Sequence, residues 1–146
     1  MGKYKINQCL DQIANLIINI RSTFANQTDF SGATTANIIA LGIATNDMLN
    51  AQGNALVNPF NGAINVNPTA GGAASFEITY AGLDTSACQN IALADWGAAA
   101  SSGLVSIRIN NTAYQWADGS LPISVANAAA SCVNAGNGNS ITWTYR

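Results

Sequence analysis

The chain has 146 residues, enough for one domain with a sizeable core, but only 8% of them are charged, against about 25% in an ordinary soluble protein. Five Lys and Arg residues and seven Asp and Glu residues give a formal net charge of −2, which excludes the basic surface that nucleic-acid binding or attachment to an anionic membrane requires. The chain contains no His, so a Ser-His-Asp or Cys-His active site and a His-based zinc site are excluded as well.

The first element is a long amphipathic helix, predicted over residues 5–25 by an apolar stripe with alternating steps of four and three residues. The stripe consists of Ile6, Leu10, Ile13, Ile17, Ile20 and Phe24, whereas the opposite face carries Gln8, Gln12, Asn15, Asn19 and Ser22. At about 100° per residue the six apolar side chains share one narrow face of the helix, which gains stability only by packing on another element. The rest of the chain must therefore supply a surface for this helix.

Residues 26–55 are predicted to form an irregular connection that contains one short helix over residues 36–41. Thr34 or Thr35 can cap the start of this helix, and Gly42 can end it. A connection this long is uncommon in compact domains and is typical of a functional or interaction surface.

Short strands are predicted wherever β-branched and aromatic residues form runs or alternate with polar ones. These strands cover residues 63–67, 76–80, 104–109, 112–116 and 141–145, whereas residues 55–57 are only a short apolar run. In the strand at residues 104–109, Val105, Ile107 and Ile109 are expected on one face. The last strand consists wholly of strong β-formers, with Trp143 and Tyr145 on the same face.

Two further helices are predicted between the strands. The first begins after Asp84 or Thr85, carries Cys88 and ends at Gly97, and the second spans residues 125–132 with Ser124 as its cap. Helices and strands do not alternate strictly, so a doubly wound parallel sheet is not expected. The sequence instead predicts an α+β fold with one long helix laid against an antiparallel or mixed sheet.

Catalytic and cofactor-binding patterns are missing from the chain. It contains no GxGxxG, GxxxxGK(S/T) or CxxC sequence, so neither a cofactor nor a metal site is predicted. Asp84 could pair with Asp95 or Asp118, but caps and turns are the more typical role of such residues. Three aromatic residues could form a sugar-stacking platform, although packing in a core or a subunit interface is more typical of them: Trp96, Trp116 and Trp143. No enzyme is predicted.

The three cysteines, Cys9, Cys88 and Cys132, allow three pairings and leave one thiol over. The similar Ser and Ala neighbours of Cys88 and Cys132 favour a bridge between these two, which would close a loop of about 45 residues. Cys9 lies at the edge of the apolar stripe and is expected to pack as a small apolar residue. A disulfide would imply an oxidising compartment such as the periplasm or the cell exterior.

Four stretches of the chain resemble the type IVb pilins, the class that contains bundle-forming and thin-pilus subunits. They are the amphipathic helix running into residues 26–32 (Asn-Gln-Thr-Asp-Phe-Ser-Gly), residues 57–66 (Val-Asn-Pro-Phe-Asn-Gly-Ala-Ile-Asn-Val), residues 83–88 (Leu-Asp-Thr-Ser-Ala-Cys) and residues 128–132 (Ala-Ala-Ala-Ser-Cys). Together they span nearly the whole chain, and the Asn-Pro-Phe-x-Gly stretch with the widely spaced cysteines is the most specific part.

The resemblance implies a single pilin domain over residues 1–146 with an α/β roll fold. Residues 4–25 would be the second half of the spine helix, residues 26–55 the αβ-loop, and residues 56–146 the sheet and the D-region. It also implies that a disulfide between Cys88 and Cys132 bounds the D-region and that the strand at residues 141–145 lies inside the sheet.

The chain departs from the family pattern at its start. The hydrophobic first half of the spine helix and the leader-processing site are absent, so residues 1–3 are expected to be vector-derived and the chain a truncated soluble domain. Membrane contact would then depend on the missing segment alone. Cys9 is not part of the family pattern.

The function implied by the resemblance is self-assembly into a type IVb pilus filament that mediates adhesion, aggregation or cell–cell contact. The partners would be other copies of the subunit and a receptor on a host or bacterial surface. The location would be the extracellular pilus, after a stage in the inner membrane and periplasm. The alternatives are a minor pilin or a secretion-system pseudopilin, and, less favoured, a periplasmic carbohydrate-binding module.

Overall fold

The computed structural model describes residues 2–44, 46–69, 74–94, 104–115, 121 and 123–146. The helices are α1 (Gly2–Thr23), α2 (Thr35–Ala40), α3 (Thr85–Ala92) and α4 (Val125–Ser131), with a short 3₁₀ helix at Asn46–Met48. The strands are β1 (Leu56–Val57), β2 (Ala63–Pro68), β3 (Phe76–Leu83), β4 (Leu104–Ile109), β5 (Thr112–Gln115) and β6 (Asn139–Tyr145). The predicted α+β fold is confirmed.

The six strands form one sheet in the order β1-β2-β3-β6-β4-β5, with every neighbouring pair antiparallel. The chain therefore returns at its end to insert β6 between β3 and β4. All five residues from Ile141 to Tyr145 are buried, which is why this strand needs strong β-formers on both faces. The last strand lies inside the sheet, as the resemblance implied.

Helix α1 contributes a broader buried face than the predicted stripe. Cys9, Ile13, Leu16 and Ile20 are fully buried, whereas Ile6 and Leu10 are only half-buried. A helix on a sheet buries more than one narrow row of side chains, so the six-residue stripe missed the neighbouring row that contains Cys9 and Leu16.

The bounds and the polar face of α1 also need correction. The helix begins at Gly2 and ends at Thr23, not at residues 5 and 25, because the amides of Ala25 and Gln27 bond carbonyls three residues back in a tight turn. Gln12, predicted on the polar face, is only 5% exposed. Its amide is buried because hydrogen-bond partners lie on the elements packed against the helix.

Aromatic side chains fill the space between the end of α1 and the sheet. The rings of Phe24 and Phe30 lie 5.9 Å apart, and Phe30 in turn lies 5.0 Å from Phe76. Tyr80 meets Trp143 edge to face at 5.8 Å in the middle of the sheet. Such pairs add specific geometry to the burial of large apolar areas.

A bulge changes the predicted pattern of β4. The register against β6 shifts between Leu104 and Ser106, so Leu104 is buried and Val105 is only half-buried. The expectation that Val105 shares the inner face with Ile107 and Ile109 is therefore wrong, because the extra residue reverses the alternation at that point.

The strands and short helices otherwise follow the predictions with small shifts of their ends. Helix α2 is capped by Thr34, and it is followed by Gly42 at φ +70°. Strand β3 continues past residue 80 to Leu83, and β6 starts two residues early, at Asn139. Helix α3 ends at Ala92, and the predicted stop at Gly97 lies outside the described residues.

The sheet edge beside β2 is covered by a side chain of α2. Strand β1 pairs only with Ala63 and Ile64, which leaves the second half of β2 without a neighbouring strand on that side. The hydroxyl of Thr35 accepts a hydrogen bond from the Val66 amide at 2.8 Å and donates one to the Val66 carbonyl at 3.3 Å. One hydroxyl group thus provides hydrogen-bond partners for both backbone groups of Val66 on this open edge.

Within the described ranges, the structure contains no helix with the length and apolar character needed to cross a membrane.

Candidate functional site

The two cysteines of the D-region are joined by a disulfide. Cys88 lies in α3 and Cys132 follows the last turn of α4, with 5.8 Å between their Cα atoms and 44 positions between them in sequence. Both residues are buried, so the bond fixes one short helix against the other beneath the surface. The structure thus contains the disulfide that the resemblance implied.

Local sequence determines where both short helices begin. The side chain of Asp84 accepts a hydrogen bond from the Ala87 amide at 2.7 Å, and Ser124 accepts one from the Asn127 amide at 3.1 Å. Each cap satisfies an amide that has no partner inside the helix. Asp84, considered above as one of a carboxylate pair, therefore has a structural role.

A cluster of three asparagines, which we call the amide clamp (Asn110, Asn134 and Asn139), lies at the base of the D-region, and Asn134 takes part in it through its backbone. Asn139 is fully buried, and its side-chain NH₂ donates to the carbonyls of Leu83 and Asn134, each at 3.2 Å. Its side-chain oxygen accepts from the Asn134 amide at 3.1 Å and from the Asn110 NH₂ at 3.0 Å. These four bonds satisfy the whole hydrogen-bonding capacity of a buried amide.

Asn110 extends the clamp to the end of α4. It occupies the β4–β5 turn at φ +53°, a conformation that Asn tolerates better than most residues. Its NH₂ donates to the Ser131 carbonyl at 2.8 Å, and its side-chain oxygen accepts from the Ser140 amide at 3.0 Å. The hydroxyls of Tyr114 and Ser131 also form a short hydrogen bond, which ties β5 to the same helix end.

Gln12 connects α1 with both the sheet and the 3₁₀ helix at Asn46–Met48. Its carbonyl oxygen accepts a hydrogen bond from the Tyr80 hydroxyl at 3.0 Å, and its NH₂ donates to the Asp47 carboxylate at 3.0 Å. We call this arrangement the Gln12 bridge (Gln12, Asp47 and Tyr80). Burial raises the pKa of Tyr80 well above its ordinary value, and the neighbouring Cys9 and Asp47 add to the effect. Tyr80 therefore stays a neutral hydrogen-bond donor.

Cys9 is a free, fully buried thiol on the same helix. Burial raises its pKa to about 12, so the reactive thiolate is not formed near neutral pH. The cysteine that the family pattern does not contain is thus a core residue, as its place beside the apolar stripe predicted.

The Asn-Pro-Phe-Asn-Gly stretch forms the turn between β1 and β2. Asn58 is buried, accepts hydrogen bonds from the amides of Phe60 and Gly62, and donates to the Ala81 carbonyl at 2.8 Å. A Cβ atom on Gly62 would lie 1.9 Å from that carbonyl oxygen. The sequence of this turn is restricted because the turn packs directly against the end of β3, and only glycine fits at position 62.

Large apolar side chains remain exposed at several positions among the described residues. Ile18 on α1 is 63% exposed, Leu41 after α2 is 57% exposed, and Val125 and Val133 around α4 are 72% and 66% exposed. An open groove of about 470 Å³ lies beside Leu41, between the end of α1 and α2. With few charges around them, these positions are candidates for contacts with another protein surface.

The remaining predicted sites give mixed outcomes. Trp143 is fully buried and its ring lies in the core beside Tyr80, so the favoured expectation of core packing is confirmed for it, and the alternative of an exposed sugar-stacking platform is wrong. Asp95, Asp118, Trp96 and Trp116 lie outside the described residues. Among the residues that the structure does describe, no group of three or more acidic or cysteine side chains is placed to hold a metal ion.

The sequence did not identify the amide clamp or the Gln12 bridge. A usable signal existed for Gln12, because positions 9, 12, 13, 16 and 20 share one helical face. Asn139 gave no such signal, because it ends a turn tract in which several asparagines follow one another.

Comparison with protein families gives one match over nearly the whole chain. The family model described as PilS N terminal matches residues 3–146. Two relatives from Escherichia coli are described as the major structural subunit of bundle-forming pilus. The relative from strain O111:H- is 23% identical over 146 residues, covering 95% of this chain and 76% of the relative. The relative from O127:H6 is 25% identical over 147 residues, with the same coverage.

Two solved structures share the fold. The type IVb pilin from Salmonella typhi superposes with a TM-score of 0.67 at 24% identity, over 93% of this chain and 98% of that one. TcpA, a type IV pilin from Vibrio cholerae El Tor, superposes with a TM-score of 0.61 at 14% identity, over 99% of both chains. The fold described above is thus the type IV pilin fold, with its helix, antiparallel sheet and disulfide.

Proposed function

Because the chain belongs to the PilS N-terminal family, we propose that it is a structural subunit of a type IVb pilus filament. The family match over residues 3–146 is the observation that carries this proposal. It is supported by two relatives described as major structural subunits of bundle-forming pilus and by the fold shared with a type IVb pilin. The role is structural, as the pilin family and fold are.

The parts of the chain have distinct roles in this proposal. Residues 4–25 serve as the second half of a spine helix, whose Cys9–Ile20 face holds the sheet. The αβ-loop, residues 26–55, and the D-region form the outer surface that meets other copies. The exposed Leu41 and Val125 support these assignments, because each presents an apolar side chain on one of the two regions.

Self-assembly makes other copies of the chain the first partner, and the extracellular pilus the place of action. Membrane and periplasmic passage before assembly, and a receptor on a host or bacterial surface, complete the proposed role. The scarcity of charge suits this role, since a net charge of −2 per subunit gives weak repulsion between closely packed copies.

The test is the composition of filaments from cells that produce the protein. Filaments sheared from the surface are quantified by mass spectrometry and labelled with a gold-conjugated antibody against this chain. A structural subunit of the filament body accounts for most of the filament mass and is labelled along its whole length. A chain present at a few copies, or only at one end, is instead a minor pilin or a pseudopilin.

Variants locate the contacting surface. Val125→Asp places a charge on an apolar D-region position that is 72% exposed and therefore should not disturb folding. Asn65→Asp adds the same charge on an exposed position of β2 and serves as the matched control. If the D-region contacts a neighbouring subunit at this position, filament yield falls for Val125→Asp only; equal yields for both variants would refute that contact.

A further inference from the structure

The segment that joins β3 to β6, which includes β4 and β5, begins and ends at nearly one point. It begins after Leu83, the last residue of β3, and ends at Asn139, the first residue of β6, which is paired with Leu83. The Asn139 side chain bonds the Leu83 carbonyl on the outgoing strand and the Asn134 backbone on the returning segment. One buried amide thus connects both ends of the segment between β3 and β6.

Asn110 brings a third part of the chain to this point. Its NH₂ group bonds the carbonyl of Ser131, the residue directly before Cys132, and also bonds the Asn139 side chain. The amide clamp therefore grips the chain one residue before Cys132, at Ser131, and two residues after it, at Asn134. The bonds of the clamp are made by oxygen and nitrogen atoms alone, so none of them requires the sulfur–sulfur bond to have formed.

Chain statistics alone would not select the observed pairing. Cys88 and Cys132 are 44 positions apart, whereas Cys9 and Cys88 are 79 positions apart. In a flexible chain this difference favours the shorter loop only about two- to threefold. Correct pairing therefore calls for structure that forms before the disulfide.

We propose that the amide clamp is a positioning device that holds Cys132 beside Cys88 in the reduced chain and so directs oxidation to this pair. The reaction joins the two sulfurs, and each thiol loses a proton. The two electrons pass to a disulfide oxidant such as glutathione disulfide, which leaves as two glutathione thiols. The inference rests on the geometry of the folded chain and does not depend on the proposed filament role.

The test measures how strongly the fold favours the disulfide. The purified 146-residue chain is equilibrated with reduced and oxidised glutathione, and the ratio of reduced to oxidised protein gives the effective concentration of the two thiols. Asn110→Gly removes the bonds that the Asn110 side chain contributes to the clamp, at a positive φ that glycine adopts freely. Thr142→Val is the matched control, since it removes one partly buried side-chain bond, to Thr79, elsewhere on β6.

We expect Asn110→Gly to lower the effective concentration by on the order of tenfold to a hundredfold, because it removes three partly buried hydrogen bonds. Thr142→Val should stay within about twofold of the unsubstituted chain, since its lost bond does not touch the D-region. An unchanged value for Asn110→Gly, or an equal fall for both variants, overturns the proposal.

Peptide mapping after rapid oxidation from the unfolded state provides a second readout. The clamp variant should yield disulfides to Cys9 that the unsubstituted chain and Thr142→Val do not form. Asn139→Ser, which stays polar but is too short to reach the Leu83 carbonyl, serves the same purpose if Asn110→Gly does not refold. Native pairing at the unsubstituted level in both clamp variants would refute a directing role.

Discussion

Replacing Gln12 by Leu keeps the size of a buried side chain but removes the amide that joins α1 to β3 and to the 3₁₀ helix at Asn46–Met48. The Tyr80 hydroxyl loses its acceptor while remaining fully buried. The Asp47 carboxylate loses a donor too, but Asp47 is exposed, so water can replace that bond.

The expected loss of stability follows from the difference between the buried Tyr80 hydroxyl and the exposed Asp47 carboxylate. A buried hydroxyl without an acceptor costs about 1–3 kcal/mol, whereas the exchange of an exposed bond for water costs little. Against this, Leu buries more apolar area than Gln in a site that is only 5% exposed. We expect a net loss of about 2 kcal/mol in the free energy of unfolding, or roughly 4–8 °C in Tm for a chain of this size.

Thermal and urea unfolding followed by circular dichroism measure the effect, and a double-mutant cycle isolates the pair. Tyr80→Phe removes the hydroxyl that Gln12→Leu leaves unsatisfied, so the double variant should lose at least about 1 kcal/mol less than the sum of the single losses. Asn15→Leu, an exposed change on the same helix, controls for helix propensity and should stay within about 0.5 kcal/mol.

The reasoning would be refuted by Gln12→Leu unfolding at the same urea concentration as the unsubstituted chain, or by strict additivity in the cycle. Either result would mean that the Tyr80 hydroxyl finds water or another acceptor at no cost. The Gln12 bridge would then have no role in holding the 3₁₀ helix against α1.

Three further predictions concern other parts of the fold. Gly62→Ala should lower the free energy of unfolding by about 3 kcal/mol because the new Cβ would lie 1.9 Å from a backbone oxygen. Gly53→Ala, at φ +71° in open space, should cost only about 1–2 kcal/mol; equal losses in guanidinium unfolding would contradict this account. The pKa of Cys9 rises from 9.0 to about 12 on folding. The contribution of the neutral thiol to the free energy of unfolding should therefore be complete below pH 9 and be lost towards pH 12, by up to about 1.4 kcal/mol per pH unit. Cys9→Ala should flatten this pH profile, and an unchanged slope would argue against a buried thiol. Reduction of the disulfide between Cys88 and Cys132 should cost about 4 kcal/mol, and an unchanged denaturation midpoint would rule this out.

Local chemistry was enough to predict most elements of the fold. The alternation of large β-formers in residues 141–145 marked a buried strand, and Thr34, Asp84 and Ser124 marked the starts of helices that the structure caps with these side chains. The exact ends of α1 and the bulge at Val105 could not be predicted, because both depend on how the element packs against its neighbours.

The polar contacts of the candidate site were beyond sequence reasoning for a different reason. Asn139 bonds Asn110 across 29 positions and Leu83 across 56, and the Gln12 bridge to Tyr80 spans 68. No local pattern encodes such pairs, and an Asn in a turn tract looks the same whether it is buried or exposed. The resemblance predicted the D-region and its disulfide, but not the amide clamp.

The Thr35 hydroxyl on the Val66 backbone has a consequence for any state in which many copies crowd together. A half-open strand edge is a template on which a second chain can add a strand, and at high concentration such growth propagates into cross-β fibres. By occupying both backbone groups of Val66, the hydroxyl removes that template with a single side chain. Copies at high concentration can then associate through their folded surfaces and not by adding strands to this edge. Thr35→Val should increase the rate of thioflavin-positive aggregation.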